Sequence, residues 1–143
     1  MTKAIYFDMD GTLADFYGVD NWLGYLMERN PHPYKVAKPL MNMSALARRL
    51  NTLQKHGYTI NIISWLSKNS DAEFDAMVTE AKLNWLKAHL PSVHFDEIHI
   101  VSYGMNKSAF GTGILFDDEA PNRNMWGAGA YDVHNIMEVL KAL

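Results

Sequence analysis

Ala4-Ile5-Tyr6-Phe7-Asp8-Met9-Asp10-Gly11-Thr12 decides the fold. An apolar run leads into two carboxylates two positions apart, followed by a glycine and a hydroxyl residue. The run reads as a strand. Side chains at i and i+2 of a strand share a face, so Asp8 and Asp10 are expected to point toward one reaction centre where the strand gives way to a loop. Gly11 lets the backbone turn sharply and approach a ligand, while Thr12 offers a hydroxyl and an amide to an anion. Two like charges this close are costly unless a cation neutralises them or one of them takes a proton. A plain strand with an acidic turn would carry the same letters, so the motif needs support elsewhere in the chain.

Three later stretches supply it. Tyr58-Thr59-Ile60-Asn61-Ile62-Ile63-Ser64 is a β-branched strand that ends in a hydroxyl and is followed by Trp65. Glu97-Ile98-His99-Ile100-Val101 is a third candidate strand, with Lys107 in a loop-like stretch beyond it. Gly113-Ile114-Leu115-Phe116 is a fourth apolar run, closing on Asp117-Asp118. In an open parallel sheet ligands bind outside the carboxyl ends of the strands, so strands ending in acid, hydroxyl, lysine and an acid pair converge on one crevice. The expected architecture is α/β, a Rossmann-like parallel sheet with helices on both faces.

The helices follow from spacing. Residues 42–56 place Leu46, Leu50 and Leu53 on one face, with Gly57 as a stop. Residues 70–89 begin with a capping box, Ser70 with Glu73, and carry an apolar stripe of Phe74, Met77, Val78, Ala81, Trp85 and Leu86 before Pro91. Residues 134–143 cover the sheet through Ile136, Met137, Val139 and Leu140, after a short edge strand at Ala130-Tyr131. The insertion at about 15–40 differs from the rest. It holds Phe16, Tyr17, Trp22, Tyr25 and Tyr34, and then Asn30-Pro31-His32-Pro33, which breaks any helix there. Its rings either offer faces for a base to stack on or glue the insertion to the body.

With these motifs in this order, the chain resembles the haloacid dehalogenase-like (HAD) hydrolase superfamily, from Ile5 to about Asn122. The resemblance implies a Mg2+-dependent phosphomonoester hydrolase in which Asp8 attacks phosphorus and Asp10 is the general acid and base. It further implies that Mg2+ is held by the Asp8 carboxylate, the Asp10 main-chain carbonyl and one acid of Asp117-Asp118, with Asp118 favoured as the direct ligand. Substrate is expected at Thr12, Ser64, Trp65 and Lys107, with Ser64 and Lys107 on the phosphate. An insertion at 15–40 would form a small helical cap. Within the superfamily, the short chain and aromatic cap are similar to the 5'(3')-deoxyribonucleotidase group, which points to a nucleotide or another small phosphate ester. That group more often has Thr where Ser64 stands, and its cap is larger. A phosphatase acting on nucleic-acid ends, or a non-catalytic binding protein of the same fold, are the alternatives.

Length and composition agree. At 143 residues the chain suits a single domain, 1–143, without room for a second. The absence of cysteine excludes disulfides, thiolate metal sites and a thiol nucleophile. With no signal-peptide pattern and no apolar stretch near the ~18 residues of a membrane span, a soluble cytoplasmic protein is expected. A net charge of -3 gives no global positive field to attract nucleic acid. His89, His94 and His99 recur every five residues, which suits neither a helical nor a strand face and argues against a metal site. Gly111 with Gly113 and Gly127 with Gly129 lack the third glycine of a dinucleotide fingerprint. Asn122, shortly after the acid pair, either turns its amide toward the metal's waters or caps a turn.

Overall fold

The structure, a computed structural model, describes residues 3–143. Five strands, β1 (Ala4–Phe7), β2 (Thr59–Trp65), β3 (Glu97–Val101), β4 (Ile114–Phe116) and β5 (Ala130–Tyr131), pair in parallel in the order β3-β2-β1-β4-β5. The register sets Phe7 beside Ile62 on one side and Phe116 on the other. Among the described residues, six α-helices accompany them: α1 (Trp22–Met27), α2 (His32–Val36), α3 (Met43–Lys55), α4 (Ala72–His89), α5 (Ala120–Trp126) and α6 (Ile136–Ala142).

Alternation divides the sheet into two apolar faces. Ile5, Phe7, Ile60, Ile62 and Phe116 pack with Leu46, Leu50 and Leu53 of α3, Trp85 and Leu86 of α4, and Ile136 and Leu140 of α6. The Phe7 and Phe116 rings stack with centroids 5.2 Å apart. Tyr6, Ile63 and Leu115 face the other way, against Trp126 of α5 and against Phe110, which precedes β4. Both faces of β1 are therefore dry, as its unbroken apolar run requires.

Topology places the site. From β1 the chain steps outward to β2 and β3, then returns to the other side of β1 for β4 and β5. The connections reverse direction at β1, so its carboxyl end and that of β4 frame a crevice that no crossover fills.

Two helix starts differ from the sequence expectation. Ser70 and Glu73 do not cap α4; Asp71 does, its Oδ1 accepting the Phe74 amide at 2.8 Å. Aspartate and serine serve equally well at this position, so the letters did not decide between neighbours. Asn30-Pro31-His32-Pro33 opens a helix instead of excluding one, with Pro33 in the first turn of α2. A proline there loses no hydrogen bond, because the first helical amides have no partner within the helix. Residues 15–40 thus carry two short helices, α1 and α2, and Phe16 and Tyr34 seat them on Phe74, Val78 and Ala81 of α4. Among the described residues, no helix is long and apolar enough to cross a membrane.

Candidate active site

Backbone pairing between β1 and β4 continues one residue past the strands, where the Asp8 amide donates to the Phe116 carbonyl at 3.0 Å. This lays Asp8 beside Asp117 and Asp118. The carboxylates of these three residues have oxygens within 4.8 Å of one another, and they form the group of metal-capable side chains found among the described residues. The loop after Asp8 closes on itself, with the amides of Thr12, Leu13 and Ala14 all donating to the Met9 carbonyl. Gly11 makes that turn at φ +81°, and the Asp118 carboxyl fills the space a Cβ on residue 11 would need. The Thr12 hydroxyl lies 3.0 Å from Asp8 Oδ2 and 3.3 Å from Asp118 Oδ1, and it accepts the Asp118 amide.

Lys107 reaches in from a short 3-10 turn, Lys107–Ala109, capped by Asn106. Its side chain is 2% exposed, and Nζ donates to Asp8 Oδ1 at 2.9 Å and Asp117 Oδ2 at 2.7 Å. Burial pulls the Lys107 pKa down, but the two carboxylates outweigh it and the group is held charged. Asp117 is fully buried and fully engaged: Asn122 Nδ2 donates to Oδ2, and the Glu119 amide donates to Oδ1. Asn122 therefore orients the acid pair, a role neither sequence alternative described. Burial first, and then the Asp8 charge, push Asp117 up to about 6 against the pull of Lys107. The same two causes push Asp118, which pairs with no lysine among the described residues, up to about 8. An acid that holds its proton this tightly, next to two other acids, is a place where a divalent cation would replace a proton.

Asp10 stands apart from this cluster. Its Oδ2 pairs with Lys82 Nζ at 3.1 Å, yet burial outweighs that pull, with Asp8 adding to it, and the Asp10 pKa is raised. Lys82 was not among the residues the sequence singled out. Its Nζ also donates to Ser64 Oγ and to the Trp65 carbonyl, each at 2.6 Å. The available signal was a lysine in the apolar stripe of a helix, four residues from both Val78 and Leu86.

A cavity of about 570 Å3 opens over these groups. Asp8, Asp10, Lys107, Asp117, Asp118 and Asn122 form its polar end, and Tyr17, Trp22, Leu26, Trp65 and Tyr103 form its apolar walls, with Arg29 and Lys68 also on the lining. Two of the expected substrate contacts do not reach it: Thr12 and Ser64 are fully buried behind the lining. Trp65 does line it, its indole fixed by donation to the Met105 carbonyl at 2.9 Å. The histidines stay outside, His89 against Trp85 and His99 paired with Glu97.

No protein-family model matches the chain, and no curated protein does. Among solved structures it is similar to the D,D-heptose 1,7-bisphosphate phosphatase from Burkholderia thailandensis, with a TM-score of 0.54 and 15% identity over 90% of this chain and 74% of that one. At that identity the likeness shows the fold alone: the chain shares an α/β architecture with that protein, and its own acidic cluster lies at the switch point of the parallel sheet.

Proposed function

We propose that this protein is a Mg2+-dependent phosphomonoester hydrolase that works through an aspartyl-phosphate on Asp8. The observation that carries the reading is the Lys107 ammonium, sealed from water between Asp8 and Asp117, at the floor of a cavity that also admits Asp10 and Asp118. An assembly of one buried cation and several buried carboxylates is expensive, and a plain scaffold has no use for it. Likeness to a phosphatase fold supports the same reading.

An Asp8 oxygen attacks phosphorus, and the bond from phosphorus to the ester oxygen breaks. The departing oxygen takes a proton from the Asp10 carboxyl, whose raised pKa suits a group that must arrive protonated. Water then attacks the phosphorus of the aspartyl-phosphate and gives its proton to Asp10. The bond to Asp8 breaks, and orthophosphate is released. Lys107 offsets the negative charge that gathers on Asp8 and on the phosphoryl oxygens. The residues fit Mg2+: Asp8 and Asp118 would hold it with oxygen, the Asp10 carbonyl is the further donor the resemblance implies, and Asp117 is already committed to Lys107 and Asn122. When bound, the ion neutralises the phosphate dianion and orients it.

For the substrate, we read a nucleoside monophosphate or a similarly flat, small ester. Tyr17 is 48% exposed and lines the cavity beside Trp22, so it presents a ring face to the substrate space, while Phe16 and Tyr34 are buried and fasten the cap to α4 with Trp22 packed against them. The experiment is a phosphate-release screen over nucleoside monophosphates, sugar phosphates and oligonucleotide ends. Turnover should vanish in chelator, return with Mg2+ and be inhibited by Ca2+, whose looser oxygen shell spoils in-line geometry. Turnover in chelator, or activation by Ca2+, would contradict the site.

A further inference from the structure

Lys82 occupies a core position of α4, with a side chain 1% exposed to solvent. A buried ammonium is tolerated only when its protons are matched, and it has three. Three acceptors surround Lys82 and come from two different elements: Ser64 Oγ at 2.6 Å, the Trp65 carbonyl at 2.6 Å and Asp10 Oδ2 at 3.1 Å. The fourth side is closed by the Tyr34 ring of the cap, 5.2 Å from Nζ. Donors and acceptors match, so the ammonium has a single well-defined seat. It also does not line the cavity, and any effect on a bound ester passes through a neighbour.

The neighbour that matters is Asp10, which meets Lys82 on one side and lines the cavity on the other. Asp10 sits on the loop after β1, where its strand pairing among the described residues is an isolated bridge to Ala14. Without Lys82 its carboxyl would be free to change rotamer. With Lys82 it is tied to the end of β2 through Ser64 and Trp65, and to the cap through Tyr34. We infer that Lys82 is a positioning residue for the general acid: it fixes the Asp10 carboxyl at the substrate cavity and ties that placement to the seating of the cap on α4. The inference rests on the phosphatase reading and adds to it a residue that never touches the substrate.

The test compares two esters that share a phosphate and differ in the group that leaves. Para-nitrophenyl phosphate releases a phenolate that needs no proton, whereas a nucleoside 5'-monophosphate releases an alkoxide that does. The quantity read is kcat/KM, which extends only to the first phosphoryl transfer. Lys82→Met is expected to lower it for the nucleotide by ~100-fold, the scale of general acid catalysis, and for the nitrophenyl ester by less than ~10-fold. In an Asp10→Asn background, Lys82→Met should add no loss that depends on the leaving group. Lys82→Gln, which keeps two donors, carries the same contrast if the methionine variant does not fold. Equal losses on both esters, or the same leaving-group contrast with Asp10 already removed, overturn the inference while leaving the phosphatase reading intact. A wild-type protein that hydrolyses neither ester overturns both.

Discussion

The Asp118 carboxyl sits where a side chain on residue 11 would have to go, although the two residues are 107 positions apart in sequence. The glycine of the first motif is thus shaped by the last motif. Its φ of +81° adds a second reason, since this region of backbone space is strained for any residue with a Cβ.

Gly11→Ala therefore meets two costs. The backbone alone accounts for about 1–2 kcal/mol, and the methyl group must also push Asp118 away from Asp8 and Thr12. The expected outcome is a lower melting temperature together with weaker Mg2+ binding, followed by calorimetry on the same samples. A variant that loses stability but keeps Mg2+ affinity would show that Asp118 is not the ligand this arrangement makes it.

Lys107 and Asp8 should respond in opposite ways. Lys107→Met leaves Asp8 and Asp117 buried without their cation, and breaking such a pair costs about 3–5 kcal/mol. Asp8→Asn removes one charge from an acidic cluster and leaves Lys107 bonded to Asp117, so little stability is lost. Phosphate release is expected to vanish in both variants: in Asp8→Asn an amide cannot form the aspartyl-phosphate, and in Lys107→Met no cation offsets the charge on Asp8 and the phosphoryl oxygens. Denaturant midpoints measured side by side decide the matter; more than a few per cent of turnover in Asp8→Asn removes it as nucleophile.

Much of this site was legible in the sequence, and the reason is local. Asp8 and Asp117 each lie just past the end of a strand whose apolar run marks it, and parallel pairing brings those ends together; Ser64, marked in the same way near the end of β2, lies behind the cavity lining. Lys107 was visible only through its order among them. Lys82 was not, because a helical stripe specifies which face is buried and not what the face meets. Its neighbours Asp10 and Ser64 lie 72 and 18 positions away, and only the crossing of α4 over β2 brings them into contact. The shift from Ser70 to Asp71 as the cap of α4 has a different source, two competent residues side by side.

The acid pair should make metal-free stability fall as pH rises. Asp118 is pushed up to about 8 and Asp117 to about 6, both from 3.8, so between these limits the folded protein holds protons that the unfolded chain has released. The stabilisation from these protons is complete below about pH 4 and lost as pH climbs through about 6 and then about 8. Melting temperatures in chelator across this range should decline, and Asp118→Asn should flatten the upper part. Because Mg2+ competes with the same protons, the stabilisation it brings should grow with pH. A metal-free melting temperature that rises from pH 6 to pH 8 would mean Asp118 is ionised throughout.

The cap offers the sharpest test of the substrate, because its aromatic residues differ in how much ring surface they expose to the cavity. Phe16 and Tyr34 are buried, with ring centroids 4.6 Å apart and little of either ring exposed on the cavity, whereas Tyr17 and Trp22 meet edge to face at 5.0 Å on its wall, Tyr17 with 48% of its surface exposed. Stacking on a nucleobase is worth ~1–3 kcal/mol, so Trp22→Ala or Tyr17→Ala should raise KM for a nucleoside monophosphate by about 10-fold or more. Para-nitrophenyl phosphate, held chiefly by its phosphate group, should lose much less. Phe74→Ala serves as the control: Phe74 does not line the cavity, and its loss opens a hole in the packing between cap and α4 that should harm both substrates alike. Equal losses from Trp22→Ala on the two substrates would place Trp22 with Phe16 as packing, and the nucleotide assignment would go with it.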